Sequence, residues 1–330
     1  MVTTPPADDL PRELRELVAS GRFREALELH QRADRIAAQR PEAQLLAATA
    51  ATRVGNLGAA EPLAAEAHEG FRARADHDGR MRALNLLGAI AFEHGQLPKA
   101  EQHFHQVMLL ARELDDQLMV ARVANNPGSV AIYQQPHHVA LSLYRSALLA
   151  YQRLGDRRGA AETYYNLAVI FREMSEWHDA ADATGEAIRH AGLVGEPSLM
   201  ALALMGRIET NIERGELALA RRDLERCALL VARSGDDFNQ IDLARLRGLA
   251  ALREGDFVTA YAEGEAARRK ADRTESVLQK AEAAALVARA LSGMGRLREA
   301  EAARAGALGL FQELGADNLA ERFERTWQAE

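Results

Sequence analysis

The chain has 330 residues, 48% of them hydrophobic but only 5% aromatic, and a formal net charge of −7. Acidic and basic residues alternate along it with no basic block or stripe, so the charge serves solubility and argues against a nucleic-acid partner. The single cysteine, Cys227, excludes an internal disulfide framework and a cysteine-based zinc site.

The first residues, MVTTPPADDLPREL, carry no cationic start and no apolar segment. They are therefore not expected to be a secretion signal. No window reaches the length of apolar residues that a membrane span needs. The expectation is a cytoplasmic protein with no membrane partner. Alanine and leucine dominate, glycine and proline stand alone, and β-branched runs are missing, which favours helix over sheet.

Taken in chain order, one hexapeptide pattern recurs: GRFREA from Gly21, GNLGAA from Gly55, GQLPKA from Gly95, QPHHVA from Gln135, SEWHDA from Ser175, GELALA from Gly215, GDFVTA from Gly255 and GRLREA from Gly295. The first interval is 34 residues and each later one is 40. The sixth position is always alanine, from Ala26 and Ala60 to Ala300. Two helical turns further lies a second small position, Ala33, Ala67, Val107, Ala147, Ala187, Cys227, Ala267 or Ala307, on the same helix face. Small side chains there let a neighbouring helix approach closely. The third position is large (Phe23, Leu57, Leu97, His137, Trp177, Leu217, Phe257, Leu297) and is expected to pack back on the preceding helix. The glycine ends that helix by adopting a left-handed conformation.

A second punctuation, at Leu114–Asp116, Leu154–Asp156, Val194–Glu196 and Ser234–Asp236, places an acidic residue where it can cap the next helix. Each unit thus reads as helix A, tight turn, helix B, acidic loop. The predicted units are 8–40, 41–76, 77–116, 117–156, 157–196, 197–236, 237–276 and 277–315 in a single array over 1–330, with a polar-faced capping helix at 316–330.

This pattern resembles the tetratricopeptide repeat (TPR) family. The matching residues include Leu87, Gly88, Leu97, Ala100 and Phe104, then Tyr164, Leu167, Ala168, Phe171, Trp177, Ala180 and Ala187. The resemblance runs from about Leu10 to Leu314. The 40-residue length is similar to a longer-helix subclass found in bacterial regulatory sensors, spindle-orientation adaptors and kinesin light chains. It implies an all-α, right-handed superhelical solenoid of about eight helical hairpins, with a concave groove lined by helix A.

No phosphate-binding glycine loop, zinc-protease helix or serine elbow is present, so no catalytic residue, cofactor or metal is expected. His94, His103, His105, His137 and His138 lack ligand spacing and read as surface or turn residues. The many Glu and Arg at helical spacing read as a solvated face. Cys227 reads as a packed, inert thiol.

The groove face carries the functional signal. By the family pattern, one groove column reads Leu45, Asn85, Asn125, Tyr165, Met205, Arg245 and Ala285. Beside it run Leu86, Asn126, Asn166, Gly206, Leu246 and Leu286, and one turn earlier Arg82, Arg122, Glu162, Leu202, Asp242 and Glu282. The candidate partner-binding residues are Arg82, Asn85, Arg122, Asn125, Asn126, Tyr165 and Asn166. An asparagine amide offers a donor and an acceptor, which matches the backbone of an extended peptide. The long-repeat adaptors that the chain resembles use such an asparagine ladder. The arginines add attraction for carboxylates. The alternative is that these asparagines hydrogen-bond between neighbouring repeats. The C-terminal half of the face, with Met205, Ile212, Arg245, Leu249 and Arg289, either binds differently or contacts another subunit, so a homo-oligomer is open.

Pro127 stands where the neighbouring units have Leu87 and Leu167, in mid-helix by register, at a cost of about 3 kcal/mol. It is either a tolerated kink or one that tilts Asn125 and Asn126 into the groove. Two functional expectations follow. One is a non-catalytic scaffold that binds a protein or extended peptide. The other is a ligand- or signal-peptide-sensing array that acts on a separate effector.

Overall fold

The computed structural model describes residues 9–116, 118–123, 126, 137–234 and 236–329. Among them every regular element is a helix. The first hairpin is α1 (Leu10–Ala19) and α2 (Phe23–Arg32), with the single turn α3 (Arg35–Ala38) after it. The A and B helices then alternate: α4 (Pro41–Arg53) with α5 (Leu57–Ala73), α6 (His77–Glu93) with α7 (Leu97–Glu113), and α8 (residues 118–123) with α9 (His137–Leu154). The second half continues with α10 (Arg157–Glu173) and α11 (Trp177–Val194), α12 (Pro197–Glu213) and α13 (Leu217–Ser234), α14 (Asp237–Arg253) and α15 (Phe257–Ala271), and α16 (Val277–Gly293) and α17 (Leu297–Leu314). The helix α18 (Asp317–Ala329) packs last, on α17.

The punctuation explains these boundaries. Gly21, Gly55, Gly95, Gly215, Gly255 and Gly295 all sit at φ between 72° and 78°, and Ser175 holds the same place at φ 60°. Asp76, Asp116, Asp156 and Asp236 each accept a hydrogen bond from the amide three residues on, at 2.9–3.2 Å, satisfying an otherwise orphaned donor. Glu196 departs from the expected pattern. Its side chain does not cap α12 and instead pairs with Arg158 of the preceding A helix. A glutamate reaches past its own first turn, where an aspartate cannot.

The alanine column is buried in every unit, and the second small column is buried from Ala67 to Ala307. Ala33 is the exception, because α2 ends one residue before it. The large turn residue is buried at Phe23, Leu57 and Leu97 but 65% exposed at Leu297. That departs from the expected packing, and His137, Trp177, Leu217 and Phe257 are only half-buried. Leu57 and Leu97 are covered because they join the apolar cluster shared with the C-terminal helices, which Leu297 does not.

Stacked hairpins give an all-α superhelical solenoid with A helices inside and B helices outside. The superhelix curls until its ends meet. One apolar cluster joins Ala48, Leu57, Leu97 and Phe104 of the second and third units to Val277, Phe311, Leu314 and Phe323 near the C-terminus. The loop before α16 docks on the turn after α4. The Glu275 amide donates to the Gly55 carbonyl at 3.3 Å, and the Gly58 amide donates to Glu275 Oε2 at 2.5 Å. A Cβ on Gly55 would lie 2.4 Å from Thr274 Cγ2, so this turn needs glycine for its φ and for the close approach. Arg24–Asp237 at 2.5 Å and Arg53–Asp236 at 3.2 Å close the seam further.

Candidate functional site: an axial channel

Because the ends meet, the concave face becomes the wall of a channel. Three connected chambers run along it. The first encloses about 440 Å³ and is lined by Arg82, Asn85, Arg122 and Asn126, with Met119, Tyr151 and Glu162. It shares Thr49, Leu86 and Ala89 with a central chamber of about 540 Å³. Every residue lining the central chamber lies on an A helix or on α18, and Tyr165 and Asn166 are among them. A third chamber of about 300 Å³ shares Arg172, Glu173, Glu209, Arg245, Glu282 and Arg322 with the second.

The sequence-derived candidates therefore split between two chambers. Asn126 Nδ2 donates to Asn85 Oδ1 at 2.6 Å, a bond between equivalent faces of neighbouring repeats. Part of the amide capacity of this pair is thus spent on joining two units, which is the alternative set against the ladder. Arg82 lies 3.6 Å from Asp78 on its own helix, and Arg122 is exposed. Burial pushes the Tyr165 phenol well above its ordinary range, so it stays protonated. Asn125 lies outside the described residues, as do Pro127 and the kink expected there.

The boundary between the second and third chambers is a belt of charge that the candidate set does not include. Arg245, with only 12% of its side chain exposed, lies 3.1 Å from Glu209, 3.3 Å from Glu282 and 3.8 Å from Asp242. Arg172 reaches Glu209 at 2.6 Å from the next A helix, and Arg322 of α18 pairs with Glu173. Burial works against the Glu209 carboxylate, but the two guanidiniums outweigh it and hold it down at about 2. Asp242 is the opposite case. Burial, with Glu282 and Glu209 adding repulsion, lifts its carboxyl to about 7 despite Arg245. Burial also raises Glu282 and Glu93, the latter in spite of a hydrogen bond to Ser276. These side chains touch the lumen, yet protein surrounds the lumen, so their hydration is poor.

Sequence reasoning tabulated Arg245, Asp242 and Glu282 as groove positions and passed over Arg172, Glu209, Glu93 and Arg322. The available signal was the continuation of each column along its helix. Glu209 lies one turn beyond Met205 and Arg172 two turns beyond Tyr165, on the same face.

Other expectations concern single residues. Cys227 is buried with its Sγ 3.7 Å from the Ala201 carbonyl, and burial pushes its thiol up to about 12, so it is a packed and unreactive group. No group of three or more His, Cys, Asp or Glu among the described residues could hold a metal ion. No described helix is long and apolar enough to cross a membrane.

An all-α repeat solenoid around a polar axial channel is the class defined by this geometry. A tetratricopeptide repeat family model matches residues 119–191. No match is found among curated proteins. Among solved structures, the chain is similar to a Rap protein complexed with competence and sporulation factor, at 13% identity and a TM-score of 0.61, covering 98% of each chain. It is also similar to a signal transduction ATPase with a tetratricopeptide repeat sensor from Pyrococcus horikoshii, at 16% identity and a TM-score of 0.54, covering 96% of this chain and 48% of that one. A third similar structure is aspartyl phosphate phosphatase F from Bacillus subtilis, at 13% identity and a TM-score of 0.51, covering 98% of this chain and 95% of that one. At these identities the likeness is one of fold.

Proposed function

We propose that the chain is a non-catalytic interaction array that binds an extended peptide segment of a partner in its axial channel. The observation that carries this is the lining. A-helix side chains of successive repeats present amides, guanidiniums and carboxylates along one continuous lumen. Groups repeated at the unit spacing suit a ligand that is itself a chain. Replacing Asn126 and Asn166 together with alanine is expected to abolish capture of the partner from a host extract, with far-UV circular dichroism unchanged. Unchanged recovery of the partner overturns the assignment.

A second reading is favoured by the closure of the superhelix. A bounded lumen suits a short ligand whose arrival biases the docking of one end on the other, so that the array reports to a separate effector. The fold neighbours, a factor-bound Rap protein and an ATPase with a repeat sensor, make this a natural analogy. A thermal-shift screen of peptides against metabolites separates the two readings, since only a binder of the folded state raises the melting temperature.

A further inference from the structure

We propose that the central chamber seats an organic cation, an ammonium or guanidinium group carried on an apolar stem. This rests on the channel being the binding site and adds the charge class of what it binds.

The charges of the chamber do not balance. Glu209 is neutralised by Arg172 and Arg245, and Glu173 by Arg322. Arg53 is committed to Asp236, which lies behind the wall. Asp242 and Glu282 share what remains of Arg245, and Glu93 has only a Ser276 hydrogen bond and the field of the already paired Arg53. An uncompensated carboxylate in an enclosed space takes up a proton or a cation. The raised carboxyls of all three residues agree with that shortage.

A second observation is independent of the acids. Gln279, one turn before Glu282 on α16, lines the same chamber and is only 6% exposed. Its Nε2 donates to the Phe238 carbonyl at 3.2 Å, while its buried Oε1 receives no hydrogen bond. A buried acceptor without a donor is costly, and an N–H group on a ligand satisfies it.

The remaining wall fits the stem. Phe92, Tyr165 and Phe238 offer aromatic surface, and Leu202 and Leu278 offer aliphatic surface. An aromatic wall with carboxylates behind it recognises an alkylated cation in preference to a metal ion, because the rings attract positive charge through their faces and the stem buries against them.

The cation could belong to a peptide side chain or to a free amine. Isothermal titration of the full chain with N-acetyl-arginine amide, agmatine and N-acetyl-citrulline amide tests the proposal and separates the sources. The expected result is binding of at least one cation, about tenfold or more tighter than citrulline, which keeps the shape and loses the charge. Arginine amide without agmatine identifies a peptide, and agmatine without arginine amide identifies a free amine. Asp242→Asn is expected to weaken the cation about tenfold. Gln279→Leu, which removes the orphaned acceptor without adding charge, should weaken it less. Equal affinity for arginine and citrulline, no binding of either cation at about 1 mM, or no effect of Asp242→Asn overturns the proposal. Capture of peptides with no preference for Lys or Arg defeats this inference alone. Binding of a cation with no peptide captured defeats the peptide-scaffold reading alone.

Discussion

The first chamber and the charged belt are built on the same face of the same repeat, yet they solve different problems. Asn85 and Asn126 are neutral amides joined to each other across a repeat boundary, and the arginines beside them, Arg82 and Arg122, are exposed to water. Around Arg245 the groups are full charges, three carboxylates within 4 Å of one guanidinium. A half-satisfied amide beside water costs little, whereas a charge in an enclosed lumen must be paired. The contrast teaches where the water is. The amide signal stands out in the sequence, but the strongest electrostatics develop where closure of the superhelix removes solvent.

The comparison can be broken at its extreme point. Arg245→Met leaves Glu209, Asp242 and Glu282 without their common partner and is expected to destabilise the fold by about 3–5 kcal/mol in urea titration. If Asn85→Ala costs as much, the two regions do not differ as described. Gly55→Val attacks the closure that dries the belt. It combines a positive φ with a clash against Thr274 and is expected to cost about 2–3 kcal/mol. Small-angle scattering should then show a larger radius of gyration with helical content retained.

Asp242→Asn should act in the opposite direction. The folded carboxyl titrates at about 7, against an ordinary value of 3.8, so the folded chain keeps a proton that the unfolded chain loses between those values. The stability contributed by this group is present below the unfolded value and is lost as pH rises through 7. The asparagine variant is expected to be about 1–2 kcal/mol more stable than the parent at pH 8, with the gap closing toward pH 4, read from thermal melts. Glu209 runs the other way. Its folded value of about 2 contributes stability above 4.5 that is lost as pH falls through 2. The smallest expected effect belongs to the amide pair. Asn126→Ala should cost about 1 kcal/mol, and a double-mutant cycle with Asn85→Ala should recover most of it as coupling.

The hairpins were legible because each rests on local chemistry. A glycine at positive φ ends helix A, and an alanine column packs helix B, so single positions such as Gly215 and Ala220 carry the signal. The closure was not legible. Gly55 is one of a series of turn glycines, and nothing in its register marks the second duty of admitting Thr274. Which turn of each A helix faces the lumen depends on the pitch of the superhelix, a property summed over many small packing angles. That is why Tyr165 and Asn166 could be named as groove residues while Glu209 and Arg172, further along the same face, were passed over. The Asn85–Asn126 bond shows a further limit. One amide at one position can read a ligand or join two repeats, and only coordinates say which bond forms.

The docking of Glu275 on Gly55 changes how the chain must come apart. In an open array each unit leans only on its neighbours, so either end can fray without consulting the other. Here residues 217 positions apart share a hydrogen bond, and the contact order of the whole molecule rises with it. The second hairpin and the α15–α16 junction become mutual guards. Amides in α4 and α5 should exchange in concert with those in α15 and α16, and the last step of folding should be the meeting of two ends that have already formed.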